Sequence, residues 1–222
     1  MSGEIHASDA VFYPVFLDLR GRRCLVVGAG NVAGRKAQSL LEAGAVVKVV
    51  SPEACEQVQE LHAAGRLEWE RRGFEETDLE GCYLVIGATG NPAVNRRVFD
   101  AAERAGMPAN IVDVPELCNF IVPSVLRRGD FQIAVSSGGA SPVLAREVRR
   151  RIERTFGPQY GEIVRVLAEI RTELKQRLPR EESRRKFWEA VIDLDYFDSL
   201  APERAGREIR ERAEKCLSQL AD

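Results

Sequence analysis

Metal-ligating chemistry is the first thing this sequence is short of. It has two histidines, His6 and His62, and five cysteines, Cys24, Cys55, Cys82, Cys118 and Cys216, with no CxxC pair, no HxxxH and no clustered carboxylates. Those spacings argue against a permanent metal cage, and an odd set of scattered thiols argues against a disulfide framework. Such a pattern is that of reduced thiols, so a cytoplasmic protein is expected. Long apolar runs are missing as well. None approaches a membrane span, and the opening Met1-Ser2-Gly3-Glu4-Ile5-His6 lacks a basic start leading into an apolar stretch. A surplus of positive charge is also absent: the net charge of -2 argues against a general nucleic-acid coat. Internal repeats and low-complexity linkers are not found.

What is present is ordinary core material, 45% hydrophobic and 30% charged over 222 residues. That is enough for one main domain with an appendage. From residue 11 to about 122, short β-branched runs alternate with helical patterns, the signature of a parallel sheet with crossover helices. The spacing predicts strands at 24–27, Val46–Val50, 67–71, 83–88 and 109–112, and helices at Asn31–Glu42, 52–64 and Pro92–Arg104. Two further strands, 120–122 and 131–136, flank the polar turn Arg127-Arg128-Gly129-Asp130 and break the alternation. Beyond Ser141-Pro142 the pattern is helical, with breaks at Gly157-Pro158, Pro179 and Pro202. The expected fold is α/β: a Rossmann-type parallel sheet over 1–118, a small strand-containing region over 119–155 and a helical C-terminal domain over 156–222.

Gly28-Ala29-Gly30-Asn31-Val32-Ala33 is a GxGxxA segment directly after a strand and directly before a helix, the context that a dinucleotide site needs. Gly28 permits the tight turn, Gly30 lets backbone approach a pyrophosphate, and small Ala33 lets the helix pack closely on the strand. The helix N-terminus beyond, at Asn31 and Val32, faces the phosphates. About twenty residues on, NAD enzymes place an acidic residue on the ribose; here the second strand ends in Ser51-Pro52-Glu53. Ser51 can hydrogen-bond a ribose with Glu53 nearby, and no arginine in that stretch awaits a 2′-phosphate, so NAD is expected over NADP. Ala88 and Thr89, at the end of a later strand, are further candidate cofactor contacts, although a plain strand-to-helix turn reads equally well.

The glycine loop together with Asn110-Ile111-Val112-Asp113, Phe120-Ile121-Val122-Pro123-Ser124 and Ser136-Ser137-Gly138-Gly139-Ala140-Ser141-Pro142 resembles the precorrin-2 dehydrogenase family, whose architecture also forms the N-terminal part of sirohaem synthase. The resemblance runs from about Tyr13 to about Trp188. It implies NAD-dependent oxidation of the tetrapyrrole precorrin-2 to sirohydrochlorin, in some members insertion of Fe2+ to give sirohaem, and a homodimer whose central strands interlock in a dimerisation region. It further implies that Asp113 is the general base, that Asn110, Ser137, Gly138 and Gly139 meet substrate, and that Ser137 is a site of modification. Read alone, Asp113 shortly before Pro115 is also a turn former.

Ser141 and Pro142 suit an N-cap and a first helical position, so free N–H groups there, backed by Arg146 and Arg149, could clamp a polycarboxylate; an ordinary capped helix start reads as well. Between Arg146 and Lys186 there are thirteen Lys or Arg against seven Asp or Glu, a solvated helix face or a steering surface. Two rivals stay open: an NAD-sensing regulatory Rossmann module without catalysis, and a dehydrogenase of small keto or hydroxy acids.

Overall fold

The computed structural model describes residues 12–220, so the reading of the opening residues, His6 included, lies outside the described residues. The chain divides between Val122 and Pro123 into two compact units.

In the first unit, β1 (Arg23–Val27), β2 (Val46–Val50), β3 (Glu68–Glu70), β4 (Leu84–Gly87) and β5 (Ala109–Ile111) form one parallel sheet in the order β3-β2-β1-β4-β5. Alternate strand residues serve opposite faces, as the two-residue period of a strand requires. Cys24, Val26, Val47, Val49, Leu84 and Ile86 join a core with α1 (Asn31–Glu42) and α2 (Glu56–Ala63), while Leu25, Val27, Val50, Val85 and Ile111 join one with α3 (Pro92–Arg104). Both faces are therefore covered, which is why these strands read as nearly unbroken valine, leucine and isoleucine. Because β1 lies between β2 and β4, the chain reverses direction across the sheet there, opening a crevice at the strands' C-terminal ends.

The second unit begins with an antiparallel hairpin, β6 (Ser124–Arg128) and β7 (Phe131–Val135), turned by Gly129 (φ 58°) and Asp130. Five helices follow: α4 (Pro142–Thr155), α5 (Gln159–Arg177), α6 (Glu181–Val191), α7 (Leu194–Ser199) and α8 (Pro202–Leu220). Their core joins Ile163, Val166, Ile170 and Leu174 of α5, spaced three and four apart, to Ile209, Ala213 and Leu217 of α8, spaced four apart. Phe187 is fully buried among them.

Three expectations need correction. Residues 52–55 are irregular and α2 starts only at Glu56, because the Cys55 N–H is taken by the Ala29 carbonyl of the glycine loop at 2.8 Å. Residues 120–122 form no strand: the Phe120 carbonyl accepts from the Asn110 side-chain amide at 2.9 Å, and the strand runs four residues later, at β6. The helical tail has a break without proline, where Asp193 caps α7 by accepting from the Tyr196 N–H at 3.0 Å. No helix among the described residues is long and apolar enough to cross a membrane.

One ionic cluster is built into the edge of the sheet. Lys48 of β2 reaches Glu70 at 2.6 Å and Asp78 at 3.0 Å, and Arg72 donates to Asp78 at 2.5 and 2.9 Å. The Asp78 side chain is 1% exposed. Burial pushes its carboxyl up, but the hydrogen bonds from Arg72, the Glu75 N–H and Lys48 outweigh that and hold the pKa at about 2, against 3.8 normally. A depressed carboxyl pKa contributes stability above pH 4 that disappears as the pH falls towards 2. Asp78→Asn should therefore cost about 2 kcal/mol at neutral pH and almost nothing at pH 2, readable as urea midpoints across that range.

Candidate functional site

The loops at the C-terminal edge of the first unit's sheet are knotted together through their backbone. The Gly28 N–H donates to the Val50 carbonyl at 2.9 Å, the Ala88 N–H to the Val27 carbonyl at 2.8 Å and the Val112 N–H to the Gly87 carbonyl at 2.8 Å. Gly28 (φ 99°) lies in the left-handed region, and a Cβ there would stand 2.4 Å from the Ala88 carbonyl oxygen. Both facts demand glycine. Gly30 is different: its φ of -74° suits any residue, and a Cβ would meet nothing within 4 Å. Packing within the chain gives no reason for glycine at position 30, whereas a pyrophosphate lying against its backbone does.

Gly30 caps α1 with no side-chain hydrogen bond, and no acidic residue lies in the first turn. The N–H groups at the start of α1, through Asn31 and Val32, have no partner within the helix and carry its positive end. Ala33 is fully buried, as close helix–strand contact requires. An uncapped helix start, an open approach at Gly30 and the crevice at β1 and β4 together fit a dinucleotide.

The other expected cofactor residues line the same edge. Ser51 is half-buried, with Pro52 and Glu53 exposed beside it. Its carbonyl accepts from the Trp69 indole N–H at 3.0 Å, and Arg71 stacks over the Trp69 ring at 4.3 Å. An arginine is therefore linked to Ser51 through Trp69, from the end of the neighbouring strand β3 rather than along the chain. Ala88 and Thr89 follow β4. Thr89 is held by Asn95 of α3, whose amide accepts from the Thr89 hydroxyl at 2.7 Å and donates to the Thr89 carbonyl at 3.0 Å. Asn95 is 6% exposed and was missed; its signal is an amide on the apolar stripe of Val98 and Ala102.

Asp113 sits just past β5. Among the described non-glycine residues it alone has a positive φ, 61°. The Val114 N–H donates to the Ile111 carbonyl at 3.2 Å, so Asp113 occupies the third position of a tight turn, where glycine or asparagine is favoured. Its left-handed backbone costs about 1 kcal/mol or more. The Cys118 thiol braces this turn, its single S–H lying within reach of the carbonyls of Ile111 (3.2 Å) and Val114 (3.3 Å). Burial raises the Cys118 pKa, which keeps the thiol a protonated donor. Asn110 is engaged with Phe120 and with Cys118 at 3.4 Å. Asp113 itself is exposed, and among the described residues no hydrogen bond or ion pair engages its carboxylate. Lys36 on α1 is half-buried; burial lowers its pKa and Arg35 adds to this, against Asp113 and Cys118, which favour the charged form. Neither Cys118 nor Lys36 stands out in the sequence, since each acts across space.

In the second unit, Gly138 (φ 65°) and Gly139 (φ 90°) make a left-handed pair facing open space. The Ser137 hydroxyl accepts from the Ser141 N–H at 2.9 Å, and the Ser141 hydroxyl caps α4 by accepting from the Leu144 N–H at 3.2 Å. Arg146 is exposed, whereas Arg149 is committed to Glu153 of its own helix. The basic stretch beyond is laced with pairs such as Arg165–Glu162 and Lys186–Glu182, which is the solvated-face arrangement.

A doubly wound parallel sheet with an uncapped helix behind GxGxxA defines a nicotinamide-dinucleotide-binding Rossmann protein. Residues 15–124 match the NAD(P)-binding family model, 128–155 the central region of sirohaem biosynthesis proteins, and 159–220 the sirohaem synthase dimerisation region. The chain is 43% identical over 211 residues to a sirohaem synthase of Methylococcus capsulatus, covering 95% of this chain and 44% of that one. With a sirohaem synthase of Nitrosococcus oceani it shares 44% over 181 residues, or 82% and 39% of the two chains. It thus spans about two-fifths of the length of the curated relatives it matches. The solved structure of SirC, a precorrin-2 dehydrogenase, aligns with a TM-score of 0.74 at 31% identity, covering 92% of this chain and 100% of that one. The chain belongs to the precorrin-2 dehydrogenase family, shared with the N-terminal part of sirohaem synthase.

The two glycines of the loop should separate on mutation. Gly30→Val should keep the melting temperature while weakening dinucleotide binding at least tenfold by titration calorimetry, and Gly28→Ala should destabilise the unit outright. Asn95→Ala should cost about 1–3 kcal/mol, because the Thr89 backbone loses its buried partner.

Proposed function

We propose that this chain oxidises precorrin-2 to sirohydrochlorin with NAD as acceptor, Asp113 being the general base. The observation that carries the reading is Asp113 itself: an unengaged carboxylate held in a strained turn at the edge of the sheet where ligands bind. Bound at the glycine loop, the dinucleotide would supply a hydride acceptor for a ring carbon of the substrate. Asp113 accepts the proton that leaves elsewhere in the macrocycle, so one hydride and one proton account for the two-electron oxidation. The glycine loop, Ser51 and Glu53 orient the dinucleotide, with Pro52, Ala88 and Thr89 completing its edge. Asn110, Ser137, Gly138, Gly139 and Arg146 are assigned to the polycarboxylate substrate, and the boundaries 1–118, 119–155 and 156–222 to cofactor binding, a dimerisation region and the helical domain, with the helical domain sharing in dimer formation because the relatives' dimerisation region matches 159–220. NAD is preferred because Ser51 and Glu53 suit free ribose hydroxyls. The same free carboxylate would serve Fe2+ insertion by accepting pyrrole N–H protons, the metal being substrate.

The working form is proposed to be a cytoplasmic homodimer. The β6–β7 hairpin is a two-stranded sheet with unpaired outer edges, too small to be stable in isolation. Val125 on it and Val143, Leu144 and Val148 on α4 are exposed apolar residues, matching a surface that a second copy covers. Val125→Glu with Leu144→Glu should yield monomers by sedimentation.

Asp113→Asn tests the base. Asparagine tolerates the left-handed turn, so fold and dinucleotide affinity should persist while NADH formation from precorrin-2 and NAD falls at least a hundredfold. Normal turnover in that variant would remove Asp113 as base. Absence of any turnover in the unaltered protein would favour a sensing module. Repeating the assay with NADP, and adding Fe2+ to sirohydrochlorin, resolves cofactor choice and metal insertion.

A further inference from the structure

The chain is firmly rooted where it enters β1. Leu19 is buried in the core that α1 packs on, and the Gly21 N–H donates to the Gly44 carbonyl at 2.9 Å. Asp18 adds to the root by accepting from the Arg20 backbone N–H at 3.1 Å and from its side-chain Nε at 2.8 Å. Ahead of that root, residues 13–17 form neither helix nor strand, and among the described residues none of their backbone groups is hydrogen-bonded. Their side chains are large and apolar yet face water: Tyr13 is 85% exposed, Val15 58%, Phe16 67% and Leu17 44%. Together these present roughly 500 Å² of apolar side chain, as much as the largest patch an ordinary monomer leaves bare.

The area decides what covers them. A stable dimer buries about 800 Å² on each copy, of which roughly 450 Å² is apolar. Val125 on the hairpin with Val143, Leu144 and Val148 on α4 offers only about 300 Å². That set falls short by itself, and residues 13–17 more than make up the difference.

We propose that residues 13–17 are an arm whose partner is a second copy of this chain, docking as an added strand on an outer edge of that copy's β6–β7 hairpin. The inference rests on the homodimer reading above. The lengths agree: each hairpin strand has five residues, and an extended arm of five spans the same distance, about 16 Å. Pro14 sets the phase. Along a strand, the backbone groups of alternate residues point to opposite edges, so Tyr13, Val15 and Leu17 present both N–H and C=O to the hairpin. Pro14, which has no N–H to give, then shares the outward edge with Phe16, the placement that an edge strand tolerates. The added strand brings the two-stranded sheet to three strands, the number at which a small sheet holds together.

The test is residue-resolved amide exchange in the full chain, comparing the unaltered dimer with the Val125→Glu, Leu144→Glu variant. In the dimer the Val15 and Leu17 amides should exchange at least tenfold more slowly than in the monomeric variant, while the outward Phe16 amide stays fast in both. Tyr13→Ser with Phe16→Ser should weaken the dimer at least tenfold in sedimentation equilibrium, with dinucleotide affinity unchanged. Protection of Phe16 equal to that of its neighbours overturns the proposal, as does a dimer indifferent to the two serines. If the Val125→Glu, Leu144→Glu variant stays dimeric, the reading of that surface as the dimer contact fails and this inference with it. If that variant is monomeric and the arm's amides exchange alike in both proteins, only the present inference fails.

Discussion

The contact between the Gly28 backbone and the Ala88 carbonyl sets the geometry on which the rest of the first unit depends. At the point where the sheet reverses its winding, β1 and β4 must hand their chains to helices on opposite faces while their loops remain side by side. A side chain at position 28 would occupy the Ala88 oxygen. With glycine there, the loop turns under the start of α1 and leaves the helix's positive end open. The two outlying loops are then drawn in by backbone hydrogen bonds from Cys55 to Ala29 and from Val112 to Gly87. A single missing methyl thus brings the cofactor edge and the candidate base to one rim.

That rim carries two kinds of cost. Asp113 is held in a backbone conformation that a non-glycine residue avoids, and the Cys118 thiol, spanning both ends of the turn, keeps it there. Lys36 is kept half out of water with no bonded partner among the described residues. Neither feature helps the unit fold; the proposed proton transfer gives Asp113 its reason, and an anionic ligand would give Lys36 one. The Asp78 cluster is the opposite case: also charged and more deeply buried, it is fully matched by Lys48 and Arg72 and serves the sheet edge alone.

Much of this was readable from residue order. Periodicity alone located Asn31–Glu42, Val46–Val50 and Pro92–Arg104, because those segments bury one stripe or alternate faces and little else acts on them. It failed at 52–55 and 120–122, where local propensity loses to a hydrogen bond from a distant loop or side chain. The glycine motif was legible because its neighbours in sequence are its neighbours in space. Asn95 and Cys118 were not, since each bonds to residues outside its own element. Asp113 was visible as a candidate through its motif, while its left-handed turn emerged only with the backbone in view.

The strand order also constrains when the nucleotide rim can come into being. β1 is the central strand, yet one of its two neighbours, β4, ends only at Gly87. During synthesis the β1–α1–β2 segment emerges with half its edge bare, and the glycine loop has no Ala88 to rest against until the chain has grown well past its third strand. Long-range parallel pairing of this kind is slow to close. Ligand capture must therefore be a late event in maturation, and the nascent chain has to shelter an open, valine-rich strand edge until then.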